Sequence, residues 1–275
     1  MRVSKIILPL LASSFLALPS VKAQEAPAKE AIPVHQKFGI VVAASVPEGI
    51  VLQAAYKIIP ELVVRAGVDF FPTISVYNDS FSLGNSAAMA EYKNRLGYVP
   101  NADAQFKFGN LSGTLLLDYH PWRNGLRVTA GVLFGAPKVT ARAMLVNSST
   151  GASIMDGATP LDPNNMPKIT ISDQENPSDA VTIQPGGDAS IDADVYVGRT
   201  VRPYVGIGYG YAVPNTPVSF FMDFGTIFGG KPRVKSPNVI EGDASGLVDY
   251  SEAAQKVAYF TQVLPMLNLG ISIRL

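Results

Sequence analysis

LPMLNLGISIRL, residues 264–275, reads as one strand of a closed barrel. Every second side chain is large and apolar (Leu267, Leu269, Ile271, Ile273, Leu275), and Met266, Asn268, Gly270, Ser272 and Arg274 stand between them. This period of two gives the strand one greasy face and one polar face. A chain that stops on such a strand needs a neighbour for its last backbone N–H and C=O groups, and closure onto the first strand supplies one. The expected fold class is therefore all-β, a closed antiparallel barrel.

The same zigzag recurs upstream, at about 37–46, 50–58, 62–71, 105–120, 127–135 (extending toward Met144), 191–198, 204–212, 220–229 and, weakly, 233–239. In the fourth segment Phe106 and Phe108 have the opposite parity to Leu111, Leu115 and Leu117, so a bulge is expected near Gly109-Asn110. Polar stretches at about 75–103, with a helical turn near 87–95, and at 146–187 read as long loops. Residues 248–262 are mildly amphipathic and read as a short helix. Membrane barrels alternate short and long connections and favour even strand numbers. On that rule the expected count is about ten, or eight if the first or ninth segment stays unpaired. The turns at 59–61, 122–125, 199–202 and 229–232 are expected on one, periplasmic rim and the long extracellular loops on the other.

The beginning of the chain bears on compartment. Arg2 and Lys5 precede an apolar run, Ile6 to Leu18, and Val21-Lys22-Ala23 resembles a cleavage site, so residues 1–23 read as a secretory signal peptide. The run is shorter than the ~20 residues a spanning helix needs. Residues 24–36, with two prolines and no periodicity, read as a flexible periplasmic lead-in, and 37–275 as the barrel. Cysteine is absent, which excludes disulfides, thiolate metal sites and cysteine lipidation. Charged residues make up 16 % of the chain against the ~25 % usual for soluble domains, and the net charge is zero, so nothing argues for a nucleic-acid partner.

Alternation alone does not say which face points inward, because a soluble carrier barrel with an apolar lumen shows the same pattern. The minor face carries Lys57, Arg65, Asp69, Asp118, His120, Arg127, Asp192, Asp194, Asp223 and Arg274, with many glycines. The major face is Leu, Ile, Val, Ala, Phe and Tyr. A charge facing lipid at mid-bilayer costs roughly 2–4 kcal/mol, whereas the same charge in a lumen can pair. The apolar face is therefore expected to meet hydrocarbon and the ten polar groups to form a luminal network. Tyr56, Phe70, Tyr119 and Trp122 lie near strand ends, as an interfacial girdle requires.

The blocks GTLLLDYHPWRNGLRVTAGVLF (113–134), RPYVGIGYG (202–210), FMDFGTIFGGKPRV (221–234) and VLPMLNLGISIRL (263–275) resemble, in order, those of small Gram-negative outer-membrane barrel proteins, the OmpA/OmpW-like superfamily. The resemblance implies location in the outer membrane, contact with its lipid and lipopolysaccharide, and delivery by the barrel-assembly machinery through the last strand. Such barrels usually end in Phe or Trp; this chain ends in Leu275.

Chemistry finds little purchase. Barrel enzymes need a histidine beside a nucleophile or water; here His35 falls in the lead-in and His120 beside a short turn, so no catalytic residue is expected. Asp192, Asp194 and Asp223 could together bind a cation, but pairing with arginines such as Arg65 and Arg127 satisfies them without a metal. Gly206-x-Gly208-x-Gly210 lacks the strand-then-helix context of a phosphate loop, so no cofactor is expected. Two functional classes follow: a structural or surface-interaction barrel plugged by its own salt bridges, and a narrow porin-like channel for small polar solutes or ions. A soluble carrier and an outer-membrane enzyme rank below them.

Overall fold

The computed structural model describes residues 37–275 apart from 85–86, 123, 157–159, 172–179 and 245–260. The expected leader (1–23), the lead-in (24–36) and all but the last two residues of the expected helix at 248–262 lie outside the described residues. In chain order the strands are β1 (Phe38–Val46), β2 (Gly49–Ile59), β3 (Leu62–Ser82), β4 (Asn101–Tyr119), β5 (Leu126–Phe134), β6 (Lys138–Val146), β7 (Ile169–Ile171), β8 (Val181–Ile183), β9 (Ser190–Tyr196), β10 (Val201–Tyr209), β11 (Val218–Phe228), β12 (Arg233–Lys235), β13 (Val239–Glu241) and β14 (Val263–Arg274). One short helix, α1 (Ala90–Leu96), stands between β3 and β4.

Eight of these strands close a barrel in the order β1-β2-β3-β4-β5-β10-β11-β14, and β14 returns to β1. Ile40 faces Ile273 and Val46 faces Leu267 across that seam, so the first and last strands satisfy each other's edges. All pairings are antiparallel.

The difference between ten segments and eight barrel strands has a single cause. β4 continues upward past β5 and pairs there with β6, which runs in the same direction as β5; β9 likewise continues into β10, and β11 into β12. The connections at 135–137, 197–200 and 229–232 are bends in rising or falling strands, and none reverses the chain. The expected turns at 199–202 and 229–232 therefore lie on the loop rim, opposite 60–61, 120–122 and 124–125. Residues 210–217 take their place on the turn rim. The first segment pairs on both sides; the sixth and ninth, as β9 and β12, stay outside the barrel. Together β12, β9, β6 and the upper halves of β4 and β3 form a half-wall above the barrel.

A register irregularity does fall at Gly109, but the extra residue is in the partner strand: Phe71 faces Asn110 and Ile74 faces Phe108, with a second shift between Ser75 and Tyr77, while β4 keeps continuous register with β6 and β5. Even positions of β4 face inward throughout. Below residue 110 the large apolar groups are outward (Leu111, Leu115, Leu117), and above it they are inward (Phe106, Phe108). Phe106 and Phe108 pack on Tyr77 and Phe71 of β3, and the top of this face, at Ala102, is covered by α1 and by residues of 147–156 and 160–171, with Tyr92, Leu145, Ile154, Met166 and Ala189 as a second core. The Tyr92 hydroxyl donates to the Pro167 carbonyl at 3.0 Å.

Glycines line the barrel interior because large side chains occupy the space beside them. A Cβ at Gly225 would lie 2.5 Å from the Tyr204 hydroxyl, and one at Gly131 2.8 Å from Leu116. At outward Gly113 the nearest atoms are 3.9 Å away. Gly225→Ala is expected to destabilise the barrel by about 1–3 kcal/mol through overpacking, and Gly113→Ala to change it by no more than about 0.5 kcal/mol. Urea unfolding in detergent micelles measures both, and equal effects would contradict a filled interior.

Candidate functional site: the luminal charge network

Strand register brings four charges together. Arg127 faces Gly208 on β10, and Gly208 faces Asp223 on β11, so the arginine and the aspartate flank one glycine. A Cβ at Gly208 would lie 2.4 Å from Asp223 Oδ1 and 2.6 Å from Arg127 Cζ; the ion pair passes through the space that glycine leaves. Arg127 Nη2 meets Asp223 Oδ1 at 2.6 Å, and its Nε lies 3.7 Å from Asp118 Oδ2. Arg65 reaches from β3 to both carboxylates, Nε to Asp118 Oδ2 at 2.8 Å and Nη1 to Asp223 Oδ2 at 3.1 Å. Two cations and two anions alternate in a closed ring.

Neutral groups complete it. Thr129 donates to Asp118 Oδ1 at 2.8 Å, and Arg65 Nη1 donates to Gln53 Oε1 at 2.8 Å, whose amide donates to Thr114. Arg127 also donates to the carbonyls of Gly210 and Met222. The Phe221 ring receives both guanidiniums, Arg127 at 4.0 Å and Arg65 at 4.9 Å from its centroid. All four charged side chains have no accessible surface.

A second pair sits nearer the loop rim. Arg202 donates to Glu48 at 2.7 and 3.0 Å and to Ser112 at 2.9 Å, while Asn110 donates to Glu48 at 2.8 Å. Arg202 Nε also donates to the Gly135 carbonyl at 2.7 Å, tying the network to the bend between β5 and β6. Asp69 is buried close to Glu48, Arg202 and Arg65 but accepts no direct hydrogen bond among the described residues.

Of the ten residues expected in a luminal network, Arg65, Asp69, Asp118, Arg127 and Asp223 are in the lumen. Lys57 and His120 are buried near the turn rim, where His120 stacks on Tyr211 at 4.8 Å between centroids. Arg274 stands partly exposed at that rim and donates to the Asn215 carbonyl. Asp192 and Asp194 are a correction: they project from the outward face of β9 above the barrel, near Arg142 and Lys138. Alternation puts both on the polar face of β9, but on the half-wall that face points outward and not into the lumen. They therefore share no cation site with Asp223.

Glu48, Arg202 and Gln53 belong to the network although they are not among the ten expected residues. Extending the inward parity of Tyr204, Gly206 and Gly208 by one step would have reached Arg202. No such rule reaches Glu48, because parity ends at a turn and only the closed barrel aims this side chain inward.

The mouths are filled as well. On the turn rim, Ala212 and Val213 fold beneath the barrel with no accessible surface, packed so close to β1 that a Cβ at Gly39 would lie 2.5 Å from the Ala212 carbonyl. Val41, Ala43, Ala55, Val63 and Phe221 form the core above them. Beneath the loop rim, Leu116, Leu133, Tyr204, Ile227 and Met266 pack together.

Outside, residues such as Ile207 (62 % exposed), Phe224 (56 %) and Leu267 (39 %) form a band without an ionisable side chain on the eight barrel strands. Phe38, Tyr56, Tyr119, Trp122 and Tyr209 edge it at the turn rim, and Phe70, Phe134 and Phe228 at the loop rim.

No family model matches the chain, and no curated protein does. Among solved structures it is similar to Acinetobacter baumannii CarO, with 17 % identity and a TM-score of 0.45 over 89 % of this chain and 98 % of that one. Acinetobacter baumannii CarO2 gives 15 % identity and a TM-score of 0.45 over 87 % and 98 %. A major outer membrane protein from Thermus thermophilus gives 18 % identity and a TM-score of 0.31 over 87 % and 98 %. The barrel assignment rests on the chain's own strand pairing, and none of these matches assigns the OmpA/OmpW-like superfamily.

Removing one partner of a buried ion pair leaves an uncompensated charge, at a cost of about 3–5 kcal/mol. Arg202→Met is expected to lose that much stability in micelles. Adding Glu48→Gln to it is expected to recover at least about 1 kcal/mol relative to additivity. Strict additivity in the double-mutant cycle would show that the two groups do not sustain each other.

Proposed function

We propose that the protein is an integral outer-membrane β-barrel with a closed interior, acting as a structural or surface-interaction element of the cell envelope. The observation that carries this reading is the pairing of two surfaces. The outward band is apolar and free of charge, while the side chains of the four-charge ring have no accessible surface at all. In water the first would be an aggregation hazard; in a bilayer it is the required surface. The barrel strands β1, β2, β5, β10, β11 and β14, of nine to twelve residues, at ~3.3 Å per residue and the tilt of a closed barrel, suit an apolar band ~25 Å tall. The two aromatic edges match the interfacial positions such rings favour.

The filled cross-section supports a plug over a channel. A conducting lumen leaves its wall residues accessible to water and ions, whereas Arg65, Arg127, Asp118, Asp223, Leu133 and Phe221 are sealed. Eight strands enclose a space that side chains can fill. The turn rim, holding Phe38 and Leu275, is assigned to the periplasm, and the half-wall with α1 and β7, β8 and β13 to the cell exterior. Residues 1–23 act as the export signal, and β14 is the segment presented to the barrel-assembly machinery. Lipid and lipopolysaccharide surround the band. In this reading the role is non-enzymatic, with His120 stacked on Tyr211 near the turn rim.

Two measurements test this. Purified protein in detergent is expected to migrate faster on a gel before boiling than after, as a folded barrel does, and to give no steady conductance in a planar bilayer. Reproducible single-channel openings would overturn the closed reading in favour of the narrow channel.

A further inference from the structure

The outward face of the half-wall carries a graded charge pattern. Gly109, Lys138, Tyr196 and Arg233 form one rung across β4, β6, β9 and β12, and Lys107, Thr140, Asp194 and Lys235 form the next rung up. Both rungs share the face of Leu111, because all are tied to odd positions of the unbroken β4. Leu111, 70 % exposed, tops the apolar band about 7 Å below Gly109 at the usual rise of two strand residues. The first charges met above the band are thus four cations with one carboxylate among them. Higher still the balance reverses: Arg142 lies 2.8 Å from Asp188 and 3.8 Å from Asp192. The Ser190 hydroxyl and amide hold Asp188 below the usual carboxylate range.

The cations of the two lower rungs are arranged by one aromatic ring, neutral acceptors and a single carboxylate. Arg233 and Lys235 both lie against the Tyr196 ring, 5.5 and 5.7 Å from its centroid, and Arg233 donates to the Gly198 carbonyl and the Thr200 hydroxyl. Lys138 lies 3.2 Å from Asp194, which also accepts from Thr140 at 2.8 Å. Lys107 and Lys235 are exposed. Asp194 thus spaces the amines and leaves a positive excess confined to one height.

We propose that this patch holds the phosphate groups of an anionic glycolipid in the outer leaflet. This rests on the membrane reading above, which places the band in hydrocarbon and the half-wall outside. A lipid with acyl chains against Leu111, Phe134 and Val201 presents its phosphates one or two rungs higher, level with these cations. Clustered Lys and Arg beside an anionic membrane surface bind it through summed attraction. The acidic rungs above set the limit of that contact and favour phosphates at the bilayer surface over anions farther out.

The test uses the full-length protein folded in detergent, with lipid retention read by native mass spectrometry. The probes are doubly phosphorylated lipid A, its dephosphorylated form, and inorganic phosphate. Phosphorylated lipid A is expected to be retained about tenfold or more over the dephosphorylated form, and Lys107→Gln/Lys138→Gln/Lys235→Gln to erase most of that preference. Equal retention of both lipids, or an undiminished preference in the triple variant, would overturn the proposal. Full displacement by millimolar inorganic phosphate would overturn the lipid assignment and identify a free-anion site. The boiling-dependent gel shift on the same samples separates the two readings. Without the shift the membrane barrel itself fails; with the shift and no preference, only the patch does.

Discussion

Two guanidiniums and two carboxylates share a space that water does not enter, and the rest of the molecule is arranged to keep them there. An ion pair in such surroundings persists only if its geometry is good and its remaining donors and acceptors are met. Arg65 and Arg127 satisfy this through Asp118, Asp223, Gln53 and backbone carbonyls, with Phe221 accepting both cations on its ring. Gly208 holds the position where any side chain would part the pair. Once the interior holds the charges, the alternation of a strand leaves only apolar groups for the exterior.

The half-wall follows the opposite rule. Above residue 110 the same β4 turns its apolar groups inward, Phe106 and Phe108 toward Tyr77 and Phe71 and Ala102 into the core around α1, and its Lys and Asp outward. A strand with constant parity has thus exchanged its oily face for its polar one at a fixed height. In the membrane reading, that height is where the outer medium changes from hydrocarbon to water. The same boundary explains why Asp192 and Asp194, inward by analogy with the barrel, meet solvent, and why the first charges above it are mainly cationic.

The barrel was largely legible because its rule is local. Val205, Phe224 and Leu267 against Arg65, Asp69 and Asp223 is a contrast that any window of a few residues contains, and the observed burial follows it. The strand count was less legible. A bend and a reversal use the same residue types, so Gly229-Gly230-Lys231-Pro232 resembles a hairpin turn whether or not the chain turns back. Of the network, the members on barrel strands were readable from parity. Glu48, which leaves the strand pattern at a turn, was not.

By itself the sequence determined that strands alternate, which face of each is apolar, and that the charges on the other face nearly balance. These are properties of neighbours along the chain. The tertiary structure decided how many strands close the ring, which rim each connection occupies, and which cation meets which anion. Those depend on register between segments as far apart as Glu48 and Arg202, and register is set by closure of the whole sheet.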